Sequence, residues 1–176
     1  MKIWGKTRPF ALPLVLVLGF LPSGNAWTAE SSLENWIRSQ TDRSLDRVYL
    51  AISPKDGAPG SVMASPSRQN PDYYYHWIRD AALTMREVWN YRNLNPKRAK
   101  QAMLDYAIFS RKNQTTSNPS PSHRGYDLGE PKYEMNGDPF LGPWGGPQND
   151  GPALRVLALL GLADDLMTTG QQDFVY

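Results

Sequence analysis

Within eight residues, from Tyr73 to Asp80, the chain places four aromatic rings, an imidazole, a guanidinium and a carboxylate: Tyr73, Tyr74, Tyr75, His76, Trp77, Arg79 and Asp80. A core segment does not carry charges of this kind unless they are paired and hydrogen-bonded. A solvated loop does not carry so many large rings, which bury their faces and leave only a polar tip wet. The combination suits a pocket for a ligand that is apolar on its faces and polar around its rim, as a sugar ring is. Arg79 and Asp80 would grip hydroxyls through charge-assisted hydrogen bonds while the rings stack on C–H surfaces. Alternative roles stay open: Asp80 near a helix start is also a favourable capping and dipole residue. His76 invites an acid/base reading beside the plainer one of a hydrogen-bonding neighbour of the pocket.

A second aromatic loop, residues 142–152, also precedes a helix and carries Trp144, Gln148, Asn149 and Asp150. If both loops open on the same end of a helical assembly, they line one pocket. Other chemistries find little support. With no cysteine there is no thiol nucleophile, disulfide or thiolate metal site. His76 and His123 are the only histidines, too few for a convincing zinc centre, and nothing calls for a cofactor or metal.

Residues 1–26 have the layout of a secretory signal peptide: Lys2, Lys6 and Arg8, then the apolar run Phe10 to Leu21, then small residues up to Ala26. The apolar run is shorter than the roughly 20 residues of a spanning helix. The expected mature chain is therefore residues 27–176, secreted or periplasmic and free of the membrane. The formal charge of +2 depends on this leader, which holds three cations and no anion; without it the charge is −1. Nucleic-acid binding thereby loses its electrostatic support.

Four helices are predicted to position the two loops. Ser31 and Glu34 fit a capping box, opening a helix with Leu33, Trp36, Ile37, Leu45 and Val48 that runs until Pro54. The second covers Ala81 to Tyr91, with Ala82, Leu83, Met85, Val88 and Trp89 at helical spacing. The third is capped by Asn95 with Pro96 in first position, and buries Ala99, Met103, Tyr106 and Ala107. Residues 112–150 lack periodicity and form a long binding loop. They contain the glycosylation sequon Asn113-Gln114-Thr115. The fourth helix opens at Asp150 or Gly151. It is apolar on nearly every side through Leu154, Val156, Leu157, Leu159, Leu160, Leu162 and Leu166, and so should be buried. Its one early charge, Arg155, needs a carboxylate if enclosed. No segment alternates as a strand should, so the fold class is all-α.

Four segments resemble the glucoamylase family, glycoside hydrolase family fifteen: residues 64–67, 70–80, 128–132 and 144–155. The likeness runs from about residue 31 to the end. It implies part of an (α/α)6 barrel, six outer and six inner helices, incomplete in this chain. It implies an enzyme that releases glucose from non-reducing ends of α-1,4-glucans with inversion, its partner being starch or a maltooligosaccharide, and a monomer at full length. Tyr73, Trp77, Arg79 and Asp80 match positions around the terminal glucose, Lys132 matches a lysine of the same pocket, and Trp144 matches a tryptophan beside the scissile bond. Arg155 and Asp150 match residues that hold the loop and helix start. The chain departs from the family at Gly146, where arginine is frequent, and at His76, where threonine is frequent. The family's acid and base glutamates lie later than the matched segments, and Glu130 and Glu134 match neither, so no catalytic residue is expected here. The resemblance therefore describes an N-terminal portion of a catalytic domain, inactive alone. Two rivals are a non-catalytic glucan-binding or structural module and a six-hairpin enzyme acting on another α-glucoside.

Overall fold

A computed structural model of the chain describes residues 25–120, 128–143, 146–171 and 173, with side chains from residue 31 onward. Its helices are α1 (Asn25–Leu50), α2 (Ile78–Asn90), α3 (Pro96–Thr115) and α4 (Asp150–Thr168), with a 3-10 turn at Arg92–Leu94. The all-α class holds. Between the helices, β1 (His76–Trp77) pairs antiparallel with β2 (Lys132–Tyr133), setting His76 opposite Tyr133 and Trp77 opposite Lys132. This ladder is too short to leave an alternating pattern in the sequence, and its partners are separated by the whole of α2 and α3.

Two compact units divide the chain, residues 1–39 and 40–176. In the first, Leu33, Trp36 and Ile37 are exposed. Because α1 is already helical at Asn25, Ser31 and Glu34 lie inside it and do not form the expected N-terminal box. The expected signal sequence falls almost wholly outside the described residues. No described helix is long and apolar enough to cross a membrane.

The second unit carries the core. α2 packs chiefly on α4 and also on α3. Ala81, Ala82, Met85 and Val88 of α2 meet Ala99, Met103 and Tyr106 of α3 and Ala158, Leu162 and Leu166 of α4. Small residues at 81, 82 and 158 let the helices approach closely, while Met85 and Met103, fully enclosed, fill the irregular space between them. Burying such side chains contributes roughly 1.5–3 kcal/mol each. Tyr49, with Leu45 and Val48 beside it, closes the cluster from the end of α1.

Several helix boundaries differ from the sequence reading for local reasons. α3 starts as expected: the Asn95 side chain accepts a hydrogen bond from the Arg98 amide at 3.2 Å, and Pro96 occupies the first turn, where no donor is needed. α4 is preceded by Asn149 at the cap position, one residue before the expected Asp150. α2 begins at Ile78, so Asp80 lies in its first turn and is not its cap. Leu83 faces solvent, as do Val156, Leu157 and Leu160 of α4, so α4 buries one stripe of its surface rather than all of it. The sequon residue Asn113 is wholly buried and its side-chain amide donates to the Gly137 carbonyl at 3.4 Å. A glycan at that nitrogen has no room in this fold.

Candidate functional site

The segment before β1 is held by backbone pairing. The Ala64 amide donates to the Tyr75 carbonyl at 3.1 Å, and the Ser65 amide to the Tyr73 carbonyl at 3.3 Å. On the other side, the Gln148 amide donates to the Gly129 carbonyl at 2.9 Å, which ties down the loop entering α4. These ties bring Ala64, Ser65, Tyr73, Trp77, Arg79, Asp80 and Gln148 around one cavity of about 360 Å³. That volume lies within the range of small-molecule sites.

Four of the expected binding residues, Tyr73, Trp77, Arg79 and Asp80, therefore share one wall. Tyr73 and Trp77 stand with ring centroids 6.4 Å apart and planes inclined by 60°, Trp77 enclosed and Tyr73 half exposed. Arg79 does not pair with Asp80. It donates to the Asp150 carboxylate at 2.8 Å, across the junction of α2 and α4. That hydrogen bond holds the Arg79 pKa above and the Asp150 pKa below their ordinary values. With both side chains nearly half exposed, the bridge fixes position more than it adds stability. Asp80 is left with no side-chain hydrogen bond or ion pair among the described residues, so its oxygens remain open to a ligand's hydroxyl donors. Gln148 adds an amide able both to donate and to accept.

Lys132, the fifth expected binding residue, is held among aromatic rings. It does not line this cavity. It is buried with its ammonium 3.5 Å from the Phe140 ring centroid, 3.7 Å from that of Tyr75 and 5.5 Å from that of Trp77. Burial pulls its pKa below the usual lysine value. Caged in this way, the cation braces Trp77 from β2 through cation–π attraction.

The aromatic run divides between two surfaces. Tyr74 and Tyr75 turn to a second, more polar cleft of about 520 Å³, with Asp56, Arg68, Asp72, Glu134, Met135 and Asn136. There Asp56 accepts from both Arg68 and Tyr74, and the Arg68 guanidinium lies over the Tyr74 ring. Glu130 is buried and accepts from the Ser120 hydroxyl at 2.8 Å and from the Lys132 amide at 3.3 Å. Neither Glu130 nor Glu134 borders the Tyr73–Trp77 cavity.

His76 lies behind the wall. Its Nδ1 accepts a hydrogen bond from the Val62 amide at 2.9 Å, which puts the ring proton on Nε2. Burial, with the charge of Arg155, lowers its pKa to about 3. The imidazole is neutral and enclosed, supporting the segment and not exchanging protons at its surface. Among the described residues no group of three or more histidine or carboxylate side chains is placed to hold a metal.

Trp144 lies outside the described residues. Gly146 has a φ of +99° with open space where a Cβ would stand. An arginine here would have room but would require a backbone conformation that side-chain-bearing residues rarely adopt. Ala64, Ser65 and Gln148 were not singled out from the sequence as cavity residues. They belong to segments whose order matched the family, and that order was the signal available.

Residues 38–175 match the family described as Glycosyl hydrolases family 15. The chain belongs to this family. A glucoamylase of Saccharomycopsis fibuligera is 44% identical over 159 residues, covering 82% of this chain and 30% of the relative. Glucoamylase S1 of Saccharomyces cerevisiae is 39% identical over 157 residues, covering 84% of this chain and 20% of the relative. Among solved structures, the family 15 glucoamylase from Hypocrea jecorina superposes with a TM-score of 0.74 at 36% identity, over 81% of this chain and 25% of that one. The S. fibuligera glucoamylase gives a TM-score of 0.71 at 38% identity, over 79% of this chain and 30% of that one. These structural likenesses make the four helices part of an (α/α)6 barrel. This family 15 chain spans between a fifth and a third of the length of the relatives it matches.

Proposed function

We propose that the Tyr73–Asp80 segment is a substrate-recognition wall of a glucoamylase that releases glucose from non-reducing ends of α-1,4-glucans with inversion. The observation that carries this reading is the convergence of Tyr73, Trp77, Arg79 and Asp80 on one cavity. The division of labour follows from their chemistry. Trp77 and Tyr73 present apolar faces to a sugar ring, Asp80 accepts from its hydroxyls, and Arg79, steadied by Asp150, donates to a ring or hydroxyl oxygen. Lys132 acts indirectly, by fixing Trp77. Trp144 is proposed to complete the wall beside the bond that is cut.

Inverting hydrolysis requires an acid and a base carboxyl about 6.5–9.5 Å apart with water between them. Among the described residues lining the cavity the one carboxylate is Asp80, and its role in this reading is to accept from substrate hydroxyls. The two reacting glutamates are assigned to sequence beyond the segments matched here. The residues 1–26 leader is proposed to direct the protein out of the cytosol, with residues 27–176 as the N-terminal portion of the catalytic domain. One relative is named as an intracellular, sporulation-specific glucoamylase of S. cerevisiae, at 37% identity, so export is a property to be tested chain by chain.

Calorimetric titration of the purified chain tests the reading. Maltotriose is expected to bind saturably, and cellotriose and trehalose more weakly. Trp77→Ala is expected to weaken maltotriose binding about tenfold, the equivalent of 1.4 kcal/mol. Equal binding of all three sugars, or unchanged maltotriose affinity in Trp77→Ala, contradicts it. The same purified chain is expected to release no glucose from maltooligosaccharides.

A further inference from the structure

Ala64 and Ser65 line the recognition cavity together with Tyr73 and Trp77, and the strip of chain leading into them sets their place. That strip runs antiparallel to residues 73–76. Met63 bridges His76, and the amides of Ala64 and Ser65 donate to the carbonyls of Tyr75 and Tyr73. At the inner end the pairing changes character. The amide of Val62, a wholly enclosed residue, donates to a side chain, the His76 Nδ1, at 2.9 Å. The imidazole is itself enclosed, with its centroid 4.7 Å from that of Phe109 and 6.3 Å from that of Tyr106. An enclosed amide deprived of its acceptor is costly, and the chain that carries it is driven to shift toward water. A shift at Val62 moves Ala64 and Ser65, which follow directly.

Ser65 is the polar side chain of that rim. Its Oγ accepts from the Ser67 amide at 3.2 Å, which holds the oxygen and leaves the hydroxyl hydrogen to donate elsewhere. Arg79, Asp80 and Gln148 are the other polar residues at the cavity. Ser65 adds a neutral donor from a separate stretch of chain.

We propose that Ser65 is a sugar-binding residue of this cavity, donating to a sugar oxygen, and that His76 is the positioning residue that sets it there through the Val62 amide. The inference rests on the reading of the cavity as a glucan site.

Calorimetric titration of the 176-residue chain with maltotriose provides the test. Ser65→Ala is expected to weaken binding about fivefold, the loss of one neutral hydrogen bond. His76→Leu, which has no acceptor, is expected to weaken it by about fivefold or more. His76→Asn, whose side-chain oxygen can stand where Nδ1 does, is expected to bind within about twofold of the parent. The double variant Ser65→Ala/His76→Leu is expected to bind within about twofold of His76→Leu alone, because His76 acts through Ser65. A general structural role for His76 gives neither the rescue nor the coupling. Urea unfolding establishes that each variant is folded under the titration conditions. If His76→Leu is not, His76→Gln, whose acceptor reaches the position of Nε2 instead, takes its place. A parent chain that binds no maltotriose overturns the glucan reading, and this proposal with it. A parent that binds, with Ser65→Ala unchanged, with His76→Asn as weak as His76→Leu, or with losses that multiply in the double variant, overturns this proposal alone.

Discussion

The neutral, enclosed His76 makes stability depend on pH in a way that one substitution isolates. In the folded chain its pKa is about 3, against 6.5 for the free side chain. A folded-state pKa depressed in this way contributes stability that is present above pH 6.5 and lost as pH falls below it, because the unfolded chain binds a proton that the folded chain refuses. Each unit of difference corresponds to about 1.4 kcal/mol. Between pH 7 and pH 5 the loss should therefore amount to about 2 kcal/mol, and it should continue towards pH 3. His76→Asn removes the titration while its side-chain oxygen can still accept from the Val62 amide. The variant will be less stable at pH 7, since a fully buried ring is replaced by a smaller group. The informative quantity is the difference between the two proteins in urea unfolding free energy as pH is lowered. It should shrink by about 2 kcal/mol from pH 7 to pH 5. His123 is common to both proteins and cancels. A difference that stays constant within about 0.5 kcal/mol across this range refutes the reasoning, because His76 would then titrate alike folded and unfolded.

Further substitutions probe the frame around the site. Gly60→Ala should cost roughly 3 kcal/mol or more in chemical unfolding, because a Cβ there would stand 2.1 Å from the Asp105 carbonyl oxygen at a φ of +80°. Asn95→Ala should cost about 1 kcal/mol through loss of the α3 cap, measurable as a shifted urea midpoint with unchanged slope. On α4, Leu162→Ala should cost about 2–5 kcal/mol, whereas Leu160→Ala, at a position 55% exposed, should stay within about 0.5 kcal/mol. Similar losses at the two leucines would contradict the observed face of α4.

The parts legible in the sequence are those governed by local rules. Asn95 and Pro96 announce α3 because capping needs only neighbours in the chain, and the buried positions of α2 and α3 follow from helical spacing. The Tyr73–Asp80 segment was recognisable from composition alone, since few other environments tolerate its mixture of rings and charges. What escaped depends on contacts distant in sequence. The β1–β2 ladder joins residues 76–77 to 132–133, and two residues per strand leave no periodic trace. Arg79 has a neighbouring carboxylate in Asp80, yet its partner is Asp150, placed there by packing of α2 on α4. The placement of the Lys132 ammonium over the Tyr75 and Phe140 rings likewise depends on residues far from it in sequence or on the opposite strand. The division of the aromatic run, Tyr73 and Trp77 to one surface and Tyr74 and Tyr75 to another, follows from backbone pairing at residues 64 and 65. The exposed side of α4 follows from which neighbours are at hand, and residue hydrophobicity carries no record of that.

The account turns on whether a glucan sits against Trp77. The most direct measurement is the indole N–H resonance of Trp77 in a ¹H–¹⁵N spectrum, assigned by Trp77→Phe, as maltotriose is added. The account predicts a saturable shift of that resonance that is lost in Asp80→Asn, with backbone resonances of residues 134–136 at the second cleft unmoved. A shift confined to residues 134–136, with the Trp77 indole unchanged at saturating sugar, would contradict it.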